Sequence, residues 1–138
     1  MAAFVRVPGD KSVSHRALIL SALAPGASRL EGLNTGADVQ ATAAALRALG
    51  ADLDFDPGWG TAVVRGGAPF HGPPAPLDCR NSGTTARLLL GLLAGGGTRA
   101  RLTGDASLRR RPMDRVTEPL RAAGAVIVEE GEPGRLPL

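Results

Sequence analysis

Hydrophobic and polar positions follow two periodicities along this chain, and they predict alternating strands and helices. Short alternating stretches at residues 4–7 and 28–31 are typical of strands. Two more, at 51–55 and 61–65, flank the turn signal at 56–58 and predict a hairpin. Helical spacing predicts helices over residues 12–24 and 35–50, the second with an acidic residue three positions after a threonine cap.

The second half repeats this order after a Gly- and Pro-rich connector at residues 66–76. Its predicted elements are a strand at 77–79, a helix that is entered through 81–87 and continues to about 94, a strand at 98–102, a helix that opens at Arg111 and Pro112 and ends at Gly124, and a strand at 125–128. Pro119 predicts a kink or a later start in that last helix.

An internal repeat is visible in the letters. The hexapeptide LRALGA at residues 46–51 recurs as LRAAGA at 120–125, 74 positions later. We predict an α/β fold of two βαβαββ units, about 8–66 and 76–138, with parallel strand pairs and a closing hairpin. The helical stretches 17–24 and 88–94 are apolar nearly all round, which predicts that they are buried on all sides while the sheets face outward. By the same offset, the second unit stops inside its closing hairpin, and we expect the chain to be an N-terminal fragment.

The candidate chemistry begins in the segment PGDKSVSHR at residues 8–16, a turn that enters a helix. Asp10 or Ser12 can cap this helix, and its free N–H groups favour an anion. Lys11 lies beside those groups, and Arg16 follows about one turn later. These groups predict a site for a small ligand with several negative charges.

Lys11 is the only lysine among sixteen basic residues. Since arginine is used wherever a positive charge suffices, a retained lysine indicates a need for a compact ammonium that acts as a point charge or exchanges a proton. We expect no catalytic role for the other reactive side chains. His15 is expected to pack or to support the site, His71 to lie in solvent, and Cys79 to be a small buried hydrophobic residue.

Composition narrows the class of protein. Apolar residues make up 43% of the chain, which is enough for a core, and the net charge of +3 is weak evidence for a nucleic-acid partner. A single cysteine excludes an internal disulfide, and no apolar run reaches the length of a membrane span. Asp10 precedes Lys11 where a phosphate-binding P-loop requires glycine, so an NTPase is rejected. We expect a cytoplasmic protein with no membrane partner and no metal site.

Three sequence blocks together resemble the 5-enolpyruvylshikimate-3-phosphate synthase family. They are PGDKSVSHR at 8–16, NSGTTAR at 81–87, and LTGD at 102–105 with RRRPM at 109–113. The resemblance covers almost the whole chain but only the first third of a full-length family member. It implies transfer of the enolpyruvyl group of phosphoenolpyruvate to the 5-hydroxyl of shikimate 3-phosphate, with release of phosphate, by a monomeric enzyme that uses no cofactor. It also implies an inside-out α/β barrel, in which βαβαββ units pack their helices inside.

The resemblance also assigns roles by matching position. It implies that Lys11, as the catalytic residue, contacts both substrates. The other shikimate 3-phosphate contacts would be Ser12 and Arg16, the other phosphoenolpyruvate contacts Gly83 and Arg111, and the supporting residues Asn81 and Thr84. The acid–base carboxylates of the family lie in a later part that this chain lacks, so the missing C-terminal part is an expected partner and the chain alone is expected to lack turnover.

Three alternatives stay open at this stage. The related enolpyruvyl transferase of peptidoglycan synthesis differs at the first block, where asparagine follows the lysine, and lacks the NSGT block. A basic nucleic-acid-binding module could use the arginines of residues 99–121, although the chain has few aromatic residues for base stacking, so we expect no nucleic-acid partner. An inactive binding or structural half that needs a complementing chain is the third.

Overall fold

The computed structural model describes residues 7–138 of the 138-residue chain. The strand predicted at residues 4–7 lies outside the described residues except for Val7. The elements are α1 (Lys11–Leu23), β1 (Gly26–Leu30), α2 (Ala37–Ala48), β2 (Asp52–Asp56), β3 (Thr61–Gly66), β4 (Leu77–Asp78), α3 (Gly83–Gly96), β5 (Leu102–Thr103), α4 (Ala106–Arg109) and α5 (Asp114–Ala122). The α/β class is confirmed.

The first half forms a three-stranded sheet in the order β1-β3-β2. The predicted hairpin is confirmed, because β2 and β3 pair antiparallel across the turn. Alternating side chains of these strands, such as Phe55 and Val64, are buried under α1 and α2, as a half-buried strand requires. The prediction of parallel pairs is wrong for this sheet, since β1 also pairs antiparallel with β3.

The second half contains one parallel pair, β4 with β5. The strand predicted at 98–102 shrinks to Leu102–Thr103, because β4 offers only two residues for pairing. The strand predicted at 125–128 is wrong. Within residues 7–138 no strand pairs with it, and Val126 is 92% exposed.

Helix starts in the second half also differ from prediction. The short helix α4 was not predicted; the Asp105 carboxylate caps it by accepting a hydrogen bond from the Leu108 amide at 2.7 Å. Helix α5 begins at Asp114, later than Arg111, because the buried Met113 side chain and its amide bond to Gly134 hold the preceding segment outside the helix. Pro119 lies inside α5.

Both copies of the repeated hexapeptide end a helix in the same way. Gly50 and Gly124 adopt φ values of +95° and +98°, which favour glycine. The amide of Gly50 donates to the Arg47 carbonyl, and that of Gly124 donates to the Arg121 carbonyl, each at 2.9 Å. The repeated letters therefore encode the same helix ending twice.

Two clusters of buried side chains form the core. One lies between α1, α2 and the three-stranded sheet, and the other surrounds α3. The prediction that α1 is buried on all sides is wrong for the described residues, because Leu20 and Leu23 are 62% and 48% exposed. None of the helices within residues 7–138 is both long and apolar enough to span a membrane.

Candidate functional site

The start of α1 is built by Asp10, which settles which residue caps the helix. Its carboxylate accepts a hydrogen bond from the Val13 amide at 2.7 Å, whereas Ser12 is exposed. Ser14 Oγ donates to the Asp10 carbonyl and accepts from the Asn34 amide. These bonds hold the first turn of α1 against the loop that follows β1.

Gly9 allows the approach of that loop. A Cβ at position 9 would lie 2.0 Å from the carbonyl oxygen of Gly32 and 2.9 Å from the Asn34 amide nitrogen. Both are backbone atoms and cannot rotate away, so only glycine fits. The Asn34 side chain closes the contact by donating to the Gly9 carbonyl at 2.9 Å.

Lys11 extends from the first turn of α1 to the first turn of α2. Its Nζ atom lies 2.8 Å from Oδ2 of Asp38, with the lysine side chain half exposed. The capping box predicted around Thr35 is wrong: Gly36 is the N-cap residue of α2 and makes no side-chain bond there. Asp38 instead holds the only lysine ammonium while leaving it accessible.

The start of α3 carries the second motif. Ser82 caps the helix by accepting from the Thr85 amide at 3.1 Å, and the next residue, Gly83, is buried. The first N–H groups of a helix have no partner within it, and the helix dipole favours an anion near them. A ligand can approach this backbone closely because Gly83 has no side chain.

Two guanidinium groups converge on Gly83. The Nη1 atoms of Arg87 and Arg111 lie 2.6 and 3.4 Å from the position that a Cβ of Gly83 would occupy. Arg111 donates to Oδ1 of Asn81, and Arg87 donates to the carbonyl of Pro112 at 3.0 Å. Within residues 7–138, neither arginine forms a salt bridge. Two like charges held this close are stabilised by an anion.

Asp38 joins the two motifs. Its carboxylate pairs with Lys11, and its backbone carbonyl oxygen lies 3.1 Å from Oγ1 of Thr85 on α3. The starts of α1, α2 and α3 are therefore linked through one residue. The arrangement can bind a ligand that carries separated negative groups, since cations border it on both sides.

His15 lies in the interior between these helices. It is fully buried, and its Nδ1 atom lies 2.7 Å from Oγ1 of Thr42. Burial lowers the pKa of His15; nearby Asp38 raises it and Lys11 lowers it further. The assignment to packing or support is consistent with this position, and a neutral imidazole follows from it at pH 7.

The predicted site residues separate into three groups. Asn81, Gly83 and Arg111 come together directly at the start of α3, and Lys11 reaches this site through Asp38. Ser12 and Arg16 are exposed on α1, and Thr84 is partly buried on α3. For Ser12, Arg16 and Thr84, the described residues include no side-chain hydrogen-bond partner.

Two site residues were missed from the sequence. The sequence pattern predicts only a capping role for Asp38, and it presents Arg87 only as the last letter of the NSGTTAR block. Arg87 could have been found, because it lies one helical turn after Gly83 and so returns to the same face. Asp38 could not, since its partner is 27 positions away.

The remaining reactive residues lie elsewhere. His71 and the side chains of Arg109 and Arg110 are exposed. Cys79 is fully buried, and burial, aided by the nearby Asp78, raises the pKa of its thiol to about 12. A thiol with this pKa is inert at neutral pH.

The sequence of this chain matches one protein family and several named relatives of that family. The family model described as EPSP synthase (3-phosphoshikimate 1-carboxyvinyltransferase) matches residues 1–138. The 3-phosphoshikimate 1-carboxyvinyltransferase of Alkalilimnicola ehrlichii is 55% identical over 137 residues, which cover 97% of this chain and 30% of that protein. The protein of the same name from Acidiphilium cryptum is 54% identical over 135 residues.

Solved structures agree with the sequence comparison. An EPSP synthase from Acinetobacter baumannii superposes with a TM-score of 0.89 at 41% identity, and the match covers 96% of this chain and 30% of that one. The chain therefore spans about 30% of the length of the relatives it matches.

Proposed function

The chain belongs to the EPSP synthase family, and from this premise we propose that its α1 and α3 form part of the substrate site of an enolpyruvyl transferase. The reaction joins the 5-hydroxyl oxygen of shikimate 3-phosphate to C2 of phosphoenolpyruvate, and phosphate leaves. Both substrates carry phosphate and carboxylate groups. A site with several cations and free helix N–H groups suits them.

One observation carries the proposal: three cations of the site lie at the starts of two helices that Asp38 links. Lys11 pairs with the carboxylate of Asp38, and the backbone carbonyl of Asp38 accepts a hydrogen bond from Thr85 on α3. Arg87 and Arg111 converge on Gly83 from the other side. Such a set binds an anion from two directions, and the missing side chain of Gly83 lets the two guanidinium groups lie close to the start of α3.

We assign the roles accordingly. Lys11 supplies the point charge that both substrates share and is the proposed catalytic residue. Gly83 and Arg111 bind phosphoenolpyruvate, because a guanidinium takes a carboxylate or phosphate through two parallel hydrogen bonds. Asn81 orients Arg111 by accepting from it.

The remaining assignments concern the edge of the site. Ser12 and Arg16 are exposed on α1 and remain free to bind shikimate 3-phosphate. Thr84 follows Gly83 and shapes the surface between the two substrates. These side chains orient and neutralise the substrates, whereas the acid and base groups come from the rest of the enzyme.

The remaining proposals concern the whole enzyme. Since the chain spans about 30% of its relatives' length, we propose that it binds substrates but needs a complementing part for turnover. The identical helix endings at Gly50 and Gly124 support repeated βαβαββ units. Exposed Leu20 and Leu23 support an inside-out arrangement, in which other helices cover α1. A cytoplasmic monomer completes the proposal.

Calorimetric titration of the chain with shikimate 3-phosphate and then phosphoenolpyruvate tests this function. Saturable binding that is lost in Lys11→Met and Arg111→Ala, but kept in Arg29→Ala, supports it. Arg29 is the matched control, because it is an exposed arginine on β1 paired with Glu31. Binding of polynucleotides that weakens steeply with salt, without binding of either substrate, would favour the nucleic-acid alternative instead.

A further inference from the structure

Four polar side chains form a continuous network in the interior, which we call the buried polar network: His15, Thr42, Thr85 and Ser82. Each is at most 1% exposed. His15 Nδ1 lies 2.7 Å from Thr42 Oγ1, which lies 2.8 Å from Thr85 Oγ1, which lies 2.7 Å from Ser82 Oγ. The network crosses from α1 through α2 to α3.

The direction of these hydrogen bonds follows from counting protons. Thr85 has one hydroxyl proton, and the Asp38 carbonyl oxygen 3.1 Å away can only accept, so this contact takes the proton. Thr85 then has no proton left for Thr42, so Thr42 donates to Thr85. The proton of Thr42 is then spent, and His15 must donate from Nδ1. The neutral imidazole is therefore the Nδ1–H tautomer.

The other imidazole nitrogen fits this assignment. His15 Nε2 is buried and has no hydrogen-bond partner in the part of the chain that the structure describes. As the bare nitrogen of the Nδ1–H tautomer, it leaves only a lone pair unpaired. A proton on Nε2 would instead be a buried donor without an acceptor.

Both ends of the network lie next to residues of the proposed site. His15 lies one turn after Lys11 on α1, and Ser82 caps α3 immediately before Gly83. In the middle, Thr85 also contacts the carbonyl of Asp38, whose carboxylate holds Lys11. The loss of any one of these hydrogen bonds would therefore let one helix start shift relative to another.

An apolar interior would fill this space without burying polar groups. Burying four hydroxyl or imidazole groups costs free energy unless every bond has good geometry. In return, hydrogen bonds fix distances more narrowly than apolar contacts do. The network thus sets the separation of three helix starts.

We propose that the buried polar network positions the starts of α1 and α3 for ligand binding, with His15, Thr42, Thr85 and Ser82 as positioning residues that touch no substrate. The ligand class rests on the proposed function: a phosphate- and carboxylate-bearing molecule held between Lys11 and Gly83. Breaking the network weakens that binding even in fully folded protein.

Thr42→Val tests the proposal, because it keeps the shape of the side chain and removes the hydroxyl at the centre of the network. We expect affinity for phosphoenolpyruvate, titrated in the presence of shikimate 3-phosphate, to fall about tenfold. Thr42→Ser restores the hydroxyl and should restore most of the affinity. Thr117→Val is the matched control: its hydroxyl is also buried but has no partner among the described residues.

The affinities refer to the folded fraction, which is measured for each variant by urea unfolding. If Thr42→Val lowers stability but binds as tightly as the original chain, the network is only structural and the proposal fails. Equal losses of affinity in Thr42→Val and Thr117→Val would also overturn it.

Nuclear magnetic resonance tests the buried polar network in the absence of a ligand. Nitrogen-15 spectra of the imidazole should show His15 as the neutral Nδ1–H tautomer. The Gly83 amide signal should shift in His15→Leu and stay near its original position in His15→Asn, because the asparagine amide places an N–H where Nδ1 lies. An Nε2–H tautomer, or a Gly83 signal indifferent to His15→Leu, would overturn the positioning role.

Together the two measurements separate this proposal from the proposed function. If the original chain binds neither substrate, the proposed function fails. The Gly83 amide signal and the tautomer of His15 still test whether the buried polar network positions the start of α3. If the chain binds both substrates and those signals behave otherwise than stated, the proposed function stands and the network proposal fails.

Discussion

The ammonium of Lys11 lies 2.8 Å from the carboxylate of Asp38, 27 positions away on another helix. In an exposed pair such a contact contributes little stability, typically about 0–1 kcal/mol. Its consequence is geometric, because the carboxylate holds the only lysine ammonium of the chain near the start of α3. Lys11 is thus oriented before any ligand arrives.

Replacing Lys11 should weaken substrate binding with little change in stability. We expect Lys11→Met to weaken shikimate 3-phosphate binding by about tenfold to a hundredfold, since a hydrogen bond to a charged group contributes about 1.5–3 kcal/mol. Lys11→Arg should recover only part of this loss, because a planar guanidinium does not replace a compact ammonium. Calorimetry measures the affinity of both variants. An affinity equal to that of the original chain in either variant would contradict the role assigned to Lys11.

Gly83→Ala should act on the neighbouring arginines. The new methyl would meet Nη1 of Arg87 at 2.6 Å, so the Arg87 side chain must move, whereas Nη1 of Arg111 at 3.4 Å would come into van der Waals contact with it. We expect weaker phosphoenolpyruvate binding in a folded protein.

Gly91→Ala is the control for this change, since Gly91 lies on the same helix with open space around it. It should raise stability by about 0.5–1 kcal/mol, because alanine favours the helix, and leave affinity unchanged. Urea unfolding and calorimetry on both variants check the pair. Equal affinities in the two would argue against a close approach at Gly83.

Removing the cap of α1 should cost both stability and binding. Asp10→Ala deletes the bond to the Val13 amide and should lower the free energy of unfolding by about 1 kcal/mol. Asp56→Ala is the control, because its carboxylate accepts from the amides of Gly58 and Trp59 in the turn between β2 and β3, which holds no residue of the proposed site. Both variants should lose stability, whereas only Asp10→Ala should weaken substrate binding, as thermal unfolding and titration would show.

Acid should destabilise the protein through His15. Burial lowers the pKa of this imidazole, with Asp38 opposing and Lys11 adding to the shift. Below about pH 6.5, the ordinary histidine pKa, the unfolded chain binds a proton that the folded chain does not. The free energy of unfolding therefore decreases as the pH is lowered, by up to about 1.4 kcal/mol per pH unit, until the pH reaches the pKa of His15 in the folded protein.

Urea unfolding at pH 7 and pH 5 measures this effect. His15→Asn serves as the reference, because it keeps the buried donor but does not titrate. The original chain should lose more stability than this variant on acidification. An identical loss in both proteins would show that His15 is not responsible.

The chain by itself should release no phosphate from a mixture of the two substrates. It spans about 30% of the length of its relatives, and proton transfer in such a reaction needs groups that α1 and α3 do not supply. A phosphate-release assay checks this. Turnover that disappears in Lys11→Met would refute it.

Much of the fold could be predicted because its signals are local. Pro25 and Gly26 end α1, Gly50 and Gly124 end two helices through a positive φ, and the turn at residues 56–58 makes the β2–β3 hairpin. Each depends on a few neighbouring residues. The candidate residues at the start of α3 came from the family resemblance, which could be recognised because Asn81 and Gly83 lie in one continuous block.

Predictions failed where pairing between distant segments decides the outcome. Residues 125–128 have the composition of a strand, but a strand needs a neighbour for its backbone hydrogen bonds, and none pairs there within residues 7–138. The stretch at 98–102 shortens for the same reason, because β4 is two residues long. The antiparallel pairing of β1 with β3 was likewise not local information.

The sequence by itself determined the three long helices, the glycine ends of α2 and α5, the hairpin and the two motifs, because those features depend on residues within a few positions of each other. Only the tertiary structure decided that Asp38 holds Lys11, that Arg87 joins Arg111 at Gly83, and that His15 bonds to Thr42. These contacts join different elements. Their geometry is set by how the helices and loops pack, which no local pattern of residues encodes.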